Sequence, residues 1–212
     1  MSRTALVAAA ILATLTLTAC GGSTPAASSA SVLVPEGTVL IVDDGTVADM
    51  VFLREEEKMA HDVYATLGPQ WPLTVFASIE ESEQRHMDTV LLLLQAAGVA
   101  DPAADRGIGE FTNPELASLY AILVAQGSVS ALEALVVGAT IEDYDLADLA
   151  TSAAAATDPI VLGVYANLAK GSRNHLRSFV SQIVASGGSY APQFIDAATY
   201  EAIVSSPMER GP

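Results

Sequence analysis

Glu83 and His86, one helical turn apart, are a pair suited to hold a metal ion: the carboxylate supplies hard oxygen and charge, the imidazole a nitrogen donor. They lie inside the run Phe76, Ile79, Glu83, His86, Val90, Leu93, Ala97, whose spacing alternates between three and four, the mark of a helix's inward stripe. A carboxylate in mid-stripe is costly to bury without a partner or a metal. Three further stripes repeat the feature. Met50, Leu53, Glu57, Ala60, Tyr64 and Leu67 centre on Glu57; Leu135, Ala139, Glu142, Leu146 and Leu149 centre on Glu142. Tyr165, Leu168, Ser172, His175, Phe179 and Gln182 carry His175. Each of four helices thus offers an oxygen or nitrogen donor near the middle of its core face.

Blander readings exist for each residue. The triplet Glu55-Glu56-Glu57 is, as a charge run, ordinarily a solvated face; only Glu57 falls on the stripe, with Glu56 the alternative ligand. Glu142-Asp143-Tyr144-Asp145 also reads as an exposed acidic turn, and His175 alone as a hydrogen-bonded core histidine. Tyr64 and Tyr144 are candidate hydrogen-bond donors to ligand carboxylates. Lys170, Arg173 and Arg177 read as a solvated stripe pairing with acidic neighbours, and Met59 and Met87 as packing or surface residues.

The elements that must position these groups are helices. Spacing and breakers predict helices from about 46 to 67, stopped by Gly68-Pro69, and from about 73 to 97, ended by Gly98. A shorter one follows Thr112-Asn113-Pro114 and ends before Gly127, with Pro114 suited to a first helical position. Long helices follow from about 128 to 156 and from Thr157-Asp158-Pro159 to 186, with a short one near 199–204. A short extended piece is expected within 32–42. Four long helices with short connections predict an all-α antiparallel four-helix bundle, with the additional short helix in a longer crossover.

The ligand pattern resembles the ferritin-like superfamily, particularly its rubrerythrin-type members. Glu57-x-x-Ala60-x-x-x-Tyr64 is similar to the spacing around that superfamily's first ligand, and Glu83-Gln84-Arg85-His86 to its Glu-x-x-His element. More narrowly, EEEKMAHDVY, SEQRHM, ALVVGATIEDYDLADL and VYANLAKGSRNHLRSF resemble the bacterial family of ferritin-like domains DUF2202, across about residues 48–195. The resemblance implies a dinuclear centre, iron above manganese or zinc, held by Glu57, Glu83, His86, Glu142 and His175. It implies that iron, O2 or peroxide redox chemistry is within reach. One departure stands out: where a second Glu-x-x-His would place Glu, this chain has Ser172. Asp145, one turn after Glu142, or His61, one turn after Glu57, can fill the gap; a single-metal site is a further alternative.

Residues 1–19 read as an export signal, with Arg3 before an apolar stretch too short to predict a bilayer span. Leu17-Thr18-Ala19-Cys20 resembles the lipobox of bacterial lipoproteins, which implies lipidation at Cys20 and attachment to the cell envelope. That envelope face is either the outer side of the cytoplasmic membrane or the outer membrane. Residues 20–45 then form a Ser/Ala/Gly-rich tether, and 46–205 the folded domain.

Composition sets the outer limits. The chain has 212 residues, 51% hydrophobic, with nine Lys and Arg against 25 Asp and Glu, a formal charge of −16. That acidity argues against nucleic acid, whose phosphates need clustered cations. A single cysteine excludes an intramolecular disulfide framework. Metal ions and, through Cys20, a membrane are the expected partners; a homo-oligomer is compatible. Three functions remain: a di-iron oxidoreductase, a metal-handling protein without turnover, or an interaction lipoprotein whose buried Glu and His pair with one another.

Overall fold

A computed structural model of the chain describes residues 33–210. Helices α1 (Asp44–Leu67), α2 (Thr74–Ala96), α3 (Pro114–Gly127), α4 (Ala131–Ala155), α5 (Pro159–Ala185) and α6 (Ala197–Val204) account for its regular structure; no strand occurs among the described residues. The extended piece expected within 32–42 is, where described, a turn and irregular chain, tied to the end of α2 by Leu40 N–H donating to the Ala96 carbonyl at 2.8 Å. The export signal, Cys20 and residues 21–32 of the tether lie outside the described residues. No described helix is long and apolar enough to cross a membrane.

Helix starts follow local chemistry. Asp43, Asn113, Ser130, Asp158 and Asp196 each accept a backbone N–H from the first turn they precede. Pro114 and Pro159 occupy the first turns of α3 and α5, where a missing N–H costs nothing. α2 has no side-chain cap and is placed by packing.

Residues 68–73 join α1 to α2, and residues 156–158 join α4 to α5, so each pair folds as an antiparallel hairpin. The hairpins pack through α1 on α4 and α2 on α5, giving an all-α four-helix bundle. The crossover between residues 97 and 130 carries α3 along the outside against α1 and α4.

Two apolar clusters fill the bundle, one towards each end. The first joins the start of α1 (Met50, Leu53), the ends of α2 and α4 (Leu93, Leu149) and the start of α5 (Val161, Tyr165). The second joins the end of α1 (Val63, Leu67), the start of α2 (Phe76, Ile79), the start of α4 (Leu135, Val137) and the end of α5 (Phe179, Ile183). Tyr64, Phe76 and Phe179 meet there as tilted rings 5.3–6.2 Å apart. Between the clusters, the middle turns of all four long helices bring polar groups inward.

Buried charge is more widespread than the stripes foretold. Glu55, Glu56 and Glu57 are all 2% exposed, so the triplet is not a solvated face. Glu55 accepts Thr112 N–H at 2.5 Å and Asn113 N–H at 3.0 Å, pinning the crossover just before α3. Asp143 accepts the N–H groups of Gln193, Phe194 and Ile195 and the Tyr190 hydroxyl, anchoring the segment that leads into α6. The sequence 142–145 is therefore mid-helix and inward, not an exposed turn. Arg177 also departs from the solvated stripe. It is buried and donates to the Ile203 carbonyl, Asn174, Ser206 and Glu209.

Candidate metal centre

Five side chains meet in the central polar layer. Glu57, Glu83 and His86 form one group and Glu83, Glu142 and His175 another, with the donor atoms of each within 4.8 Å of one another. Glu83 belongs to both: Oε2 lies 2.8 Å from His86 Nδ1, and Oε1 lies 2.8 Å from His175 Nδ1. Glu57 Oε2 is 3.1 Å from His86 Nδ1, and Glu142 Oε2 is 3.3 Å from His175 Nδ1. The imidazoles stack with centroids 5.4 Å apart. All five side chains are buried.

His86 Nδ1 and Glu57 Oε2 form a hydrogen bond, but other atoms of the layer are left open. Glu57 Oε1, Glu83 Oε1 and His175 Nδ1 are buried and have no hydrogen-bond partner. Glu83 Oε1 and His175 Nδ1 stand at ion-pair distance without a hydrogen bond between them. Two donors about 2.1 Å from one ion and at right angles to it would stand about 3 Å apart. The spacing is thus that of neighbouring ligands, and orphaned buried atoms with an oxygen-rich, imidazole-completed donor set fit a pair of divalent cations.

Electrostatics follow from four helices facing carboxylates into one layer. Burial acts most strongly on Glu57 and pushes its carboxyl up to about 7, against the opposing pull of His86. Burial would also raise Glu83, but the charges of His175 and His86 outweigh it and hold that carboxylate below its usual range. Burial raises Glu142 against the pull of His175. For His175 burial works the other way, yet Glu83 and Glu142 lift it to about 10; Glu57 and Glu83 lift His86 well above its ordinary value. Glu83 is the fixed anion of the layer, and the remaining groups compete for protons.

Neighbours hold these groups in place. Tyr64 OH donates to Glu142 Oε1 at 2.5 Å; burial, with Glu142 next, raises its own hydroxyl well above its ordinary range, so it acts as a donor. Ser172 donates to Asp145 Oδ2, and Asp145 is buried. His61 instead turns to Asp62 Oδ1 at 3.0 Å and Glu80 at 3.9 Å, and joins neither group. Tyr144 packs edge-on against Phe194, with centroids 5.1 Å apart. Glu56 is buried beside Glu57 but joins neither group.

One contributor escaped the sequence reading. A Cβ on Gly171 would stand 2.4 Å from His86 Nε2 and 2.6 Å from Cε1. Only glycine lets the α5 backbone come this near the imidazole. The available signal was a glycine inside a long helix, which costs about 1 kcal/mol against alanine and so asks for a packing reason.

Fold and site together define a class: an all-α four-helix bundle whose core is interrupted by a carboxylate–histidine layer. The chain belongs to the family described as "Uncharacterized protein domain (DUF2202)", which matches residues 46–207. It is similar to the uncharacterized protein MJ0754 of Methanocaldococcus jannaschii, 48% identical over 162 residues that span 76% of this chain and 88% of that protein. The crystal structure of hypothetical protein MJ0754 from Methanococcus jannaschii matches with a TM-score of 0.79 and 43% identity, covering 82% of this chain and 99% of that one.

Proposed function

We propose that the protein binds a dinuclear metal centre, iron in preference to manganese or zinc. Glu57, Glu83 and His86 would hold one ion, Glu83, Glu142 and His175 the other, with Glu83 shared. The observation that carries this reading is the placement of Glu83, one oxygen 2.8 Å from each imidazole, with Oε1 and His175 Nδ1 both lacking hydrogen bonds. A purely structural Glu–His network gives its buried atoms partners, as Glu55 and Asp143 do elsewhere in this bundle.

A redox-active metal pair would supply one-electron steps towards O2, peroxide or Fe(II). The chain's own part is to fix the donors from four rigid helices, to exclude bulk water with an apolar cluster at each end, and to anchor Glu142 through Tyr64. On the sequence of residues 1–20, the same reading has the protein exported and tethered to the cell envelope by lipid on Cys20.

The test is anaerobic purification and titration with Fe(II), followed by exposure to air. Retention of about two equivalents per chain supports the centre. Oxygen consumption on aeration then separates an oxidoreductase from a metal-handling protein. No stoichiometric retention of Fe(II), Mn(II) or Zn(II) would leave the interaction-lipoprotein reading in its place.

A further inference from the structure

The five donors leave the layer one carboxylate short, because α5 presents Ser172 one turn before His175. The structure shows what Ser172 does instead. Its hydroxyl contacts Asp145 Oδ2 on α4, and also the Leu168 carbonyl of its own helix at 3.0 Å. Asp145 is 6% exposed, and its second oxygen, Oδ1, is buried with no hydrogen-bond partner. The buried carboxylates that pin this fold look different. Asp143, two residues earlier, has both oxygens occupied, and so does Glu55. Asp145 is held by one oxygen only.

Carboxylates of both groups act on Asp145. After burial, the charges felt most by Asp145 are Glu57 and then Glu142, one from each group, ahead of the shared Glu83. Its oxygens stand outside the two groups whose donors lie within 4.8 Å. A cation would relieve that mutual repulsion more completely than one serine hydroxyl does.

We propose that Asp145 is the sixth protein ligand of the metal pair, supplied by α4 where α5 offers only Ser172, and that Ser172 is its positioning residue. The inference rests on the dinuclear reading above. α4 then carries two carboxylate ligands, Glu142 and Asp145, and α5 only His175. Oδ1 is free to coordinate while Oδ2 keeps its bond to Ser172.

The experiment compares four full-length proteins by anaerobic Fe(II) titration with metal analysis, and by the visible absorption of their Co(II) forms, which reports coordination geometry. Wild type retaining about two equivalents establishes the parent reading; wild type retaining none removes both that reading and this one. Asp145→Asn keeps the size and the bond to Ser172, and is expected to retain about one equivalent with an altered Co(II) spectrum. Ser172→Ala is expected to retain about two, bound about 10–100-fold more weakly. The exchange Asp145→Ala with Ser172→Glu returns the carboxylate to α5 and is expected to regain the second equivalent. Metal-free melting and circular dichroism identify any variant that fails to fold, in which case the exchange protein decides. Asp145→Asn with wild-type stoichiometry, affinity and Co(II) spectrum would overturn the proposal.

Discussion

Glu83 Oε1 and His175 Nδ1 lie 2.8 Å apart in the centre of the bundle, buried, and neither makes a hydrogen bond. In a low-dielectric interior their ion pair offsets part of the cost of burial, and the missing hydrogen bond leaves both atoms open to a further partner. The other oxygen of Glu83 stands at the same distance from His86 Nδ1. One carboxylate therefore touches both halves of the layer, and Glu83 has no equivalent among the other donors.

That asymmetry predicts unequal mutant phenotypes. Glu83→Gln removes a donor from both groups and is expected to abolish stoichiometric iron retention. Glu57→Gln removes a donor from one group and is expected to leave about one equivalent. Metal analysis after anaerobic loading checks both; equal losses would contradict a shared Glu83.

Gly171→Ala tests how closely α5 must approach His86. The added methyl would meet the ring at 2.4 Å, so His86 or the α5 backbone has to move. The expected result is metal affinity about 10-fold or more lower on the His86 side, with a melting temperature reduced modestly. Isothermal titration with Mn(II) reads the affinity. Unchanged binding would show that His86 can retreat without loss.

The pH dependence has a definite sign. Glu57 and His175 are both raised on folding, to about 7 and about 10, from ordinary values of 4.5 and 6.5. Each therefore contributes stability to the metal-free protein that is complete below its ordinary value and lost as pH rises to its folded value. Glu83 is lowered, so its contribution is present above 4.5 and fades as pH falls. On these three groups metal-free protein should be most stable near pH 4.5, losing Glu57's contribution by about pH 7 and His175's by about pH 10. Metal binding runs the other way, tightening as pH rises and releasing protons. Thermal melts across pH, with and without Mn(II), check both trends.

Adjacent residues of the acidic triplet should separate cleanly. Glu55→Ala removes two charge-assisted bonds to Thr112 and Asn113 and is expected to cost about 3 kcal/mol of stability while leaving iron stoichiometry unchanged. Chemical denaturation and metal analysis on the same sample read the two effects. A lost metal equivalent would place Glu55 in the site.

The architecture was legible because it rests on periodicity and punctuation. The stripes through Glu57, Glu83, Glu142 and His175, the Asn-Pro and Asp-Pro starts, and the glycine stops carry the helices and bring the five donors together. Roles set by distant neighbours were not legible. Stripe logic puts Glu55 outside, because it counts only the bundle face and cannot see that the crossover returns to cover α1. Asp143 and Arg177 were missed for the same reason, their partners lying near residues 190–209. The sequence left Asp145 and His61 as equal substitutes for the absent sixth carboxylate. Only the fold turns Asp145 inward to Ser172 and leaves His61 with Asp62 and Glu80.

The most direct measurement of the central claim is anomalous diffraction at the iron edge from crystals loaded anaerobically with Fe(II). The account predicts two peaks about 3.5–4 Å apart, flanking the Glu83 carboxylate and each next to one imidazole Nδ1. Crystals that hold no iron between Glu57, Glu83, Glu142 and the two histidines, with Glu83 still lying between both rings, would contradict it.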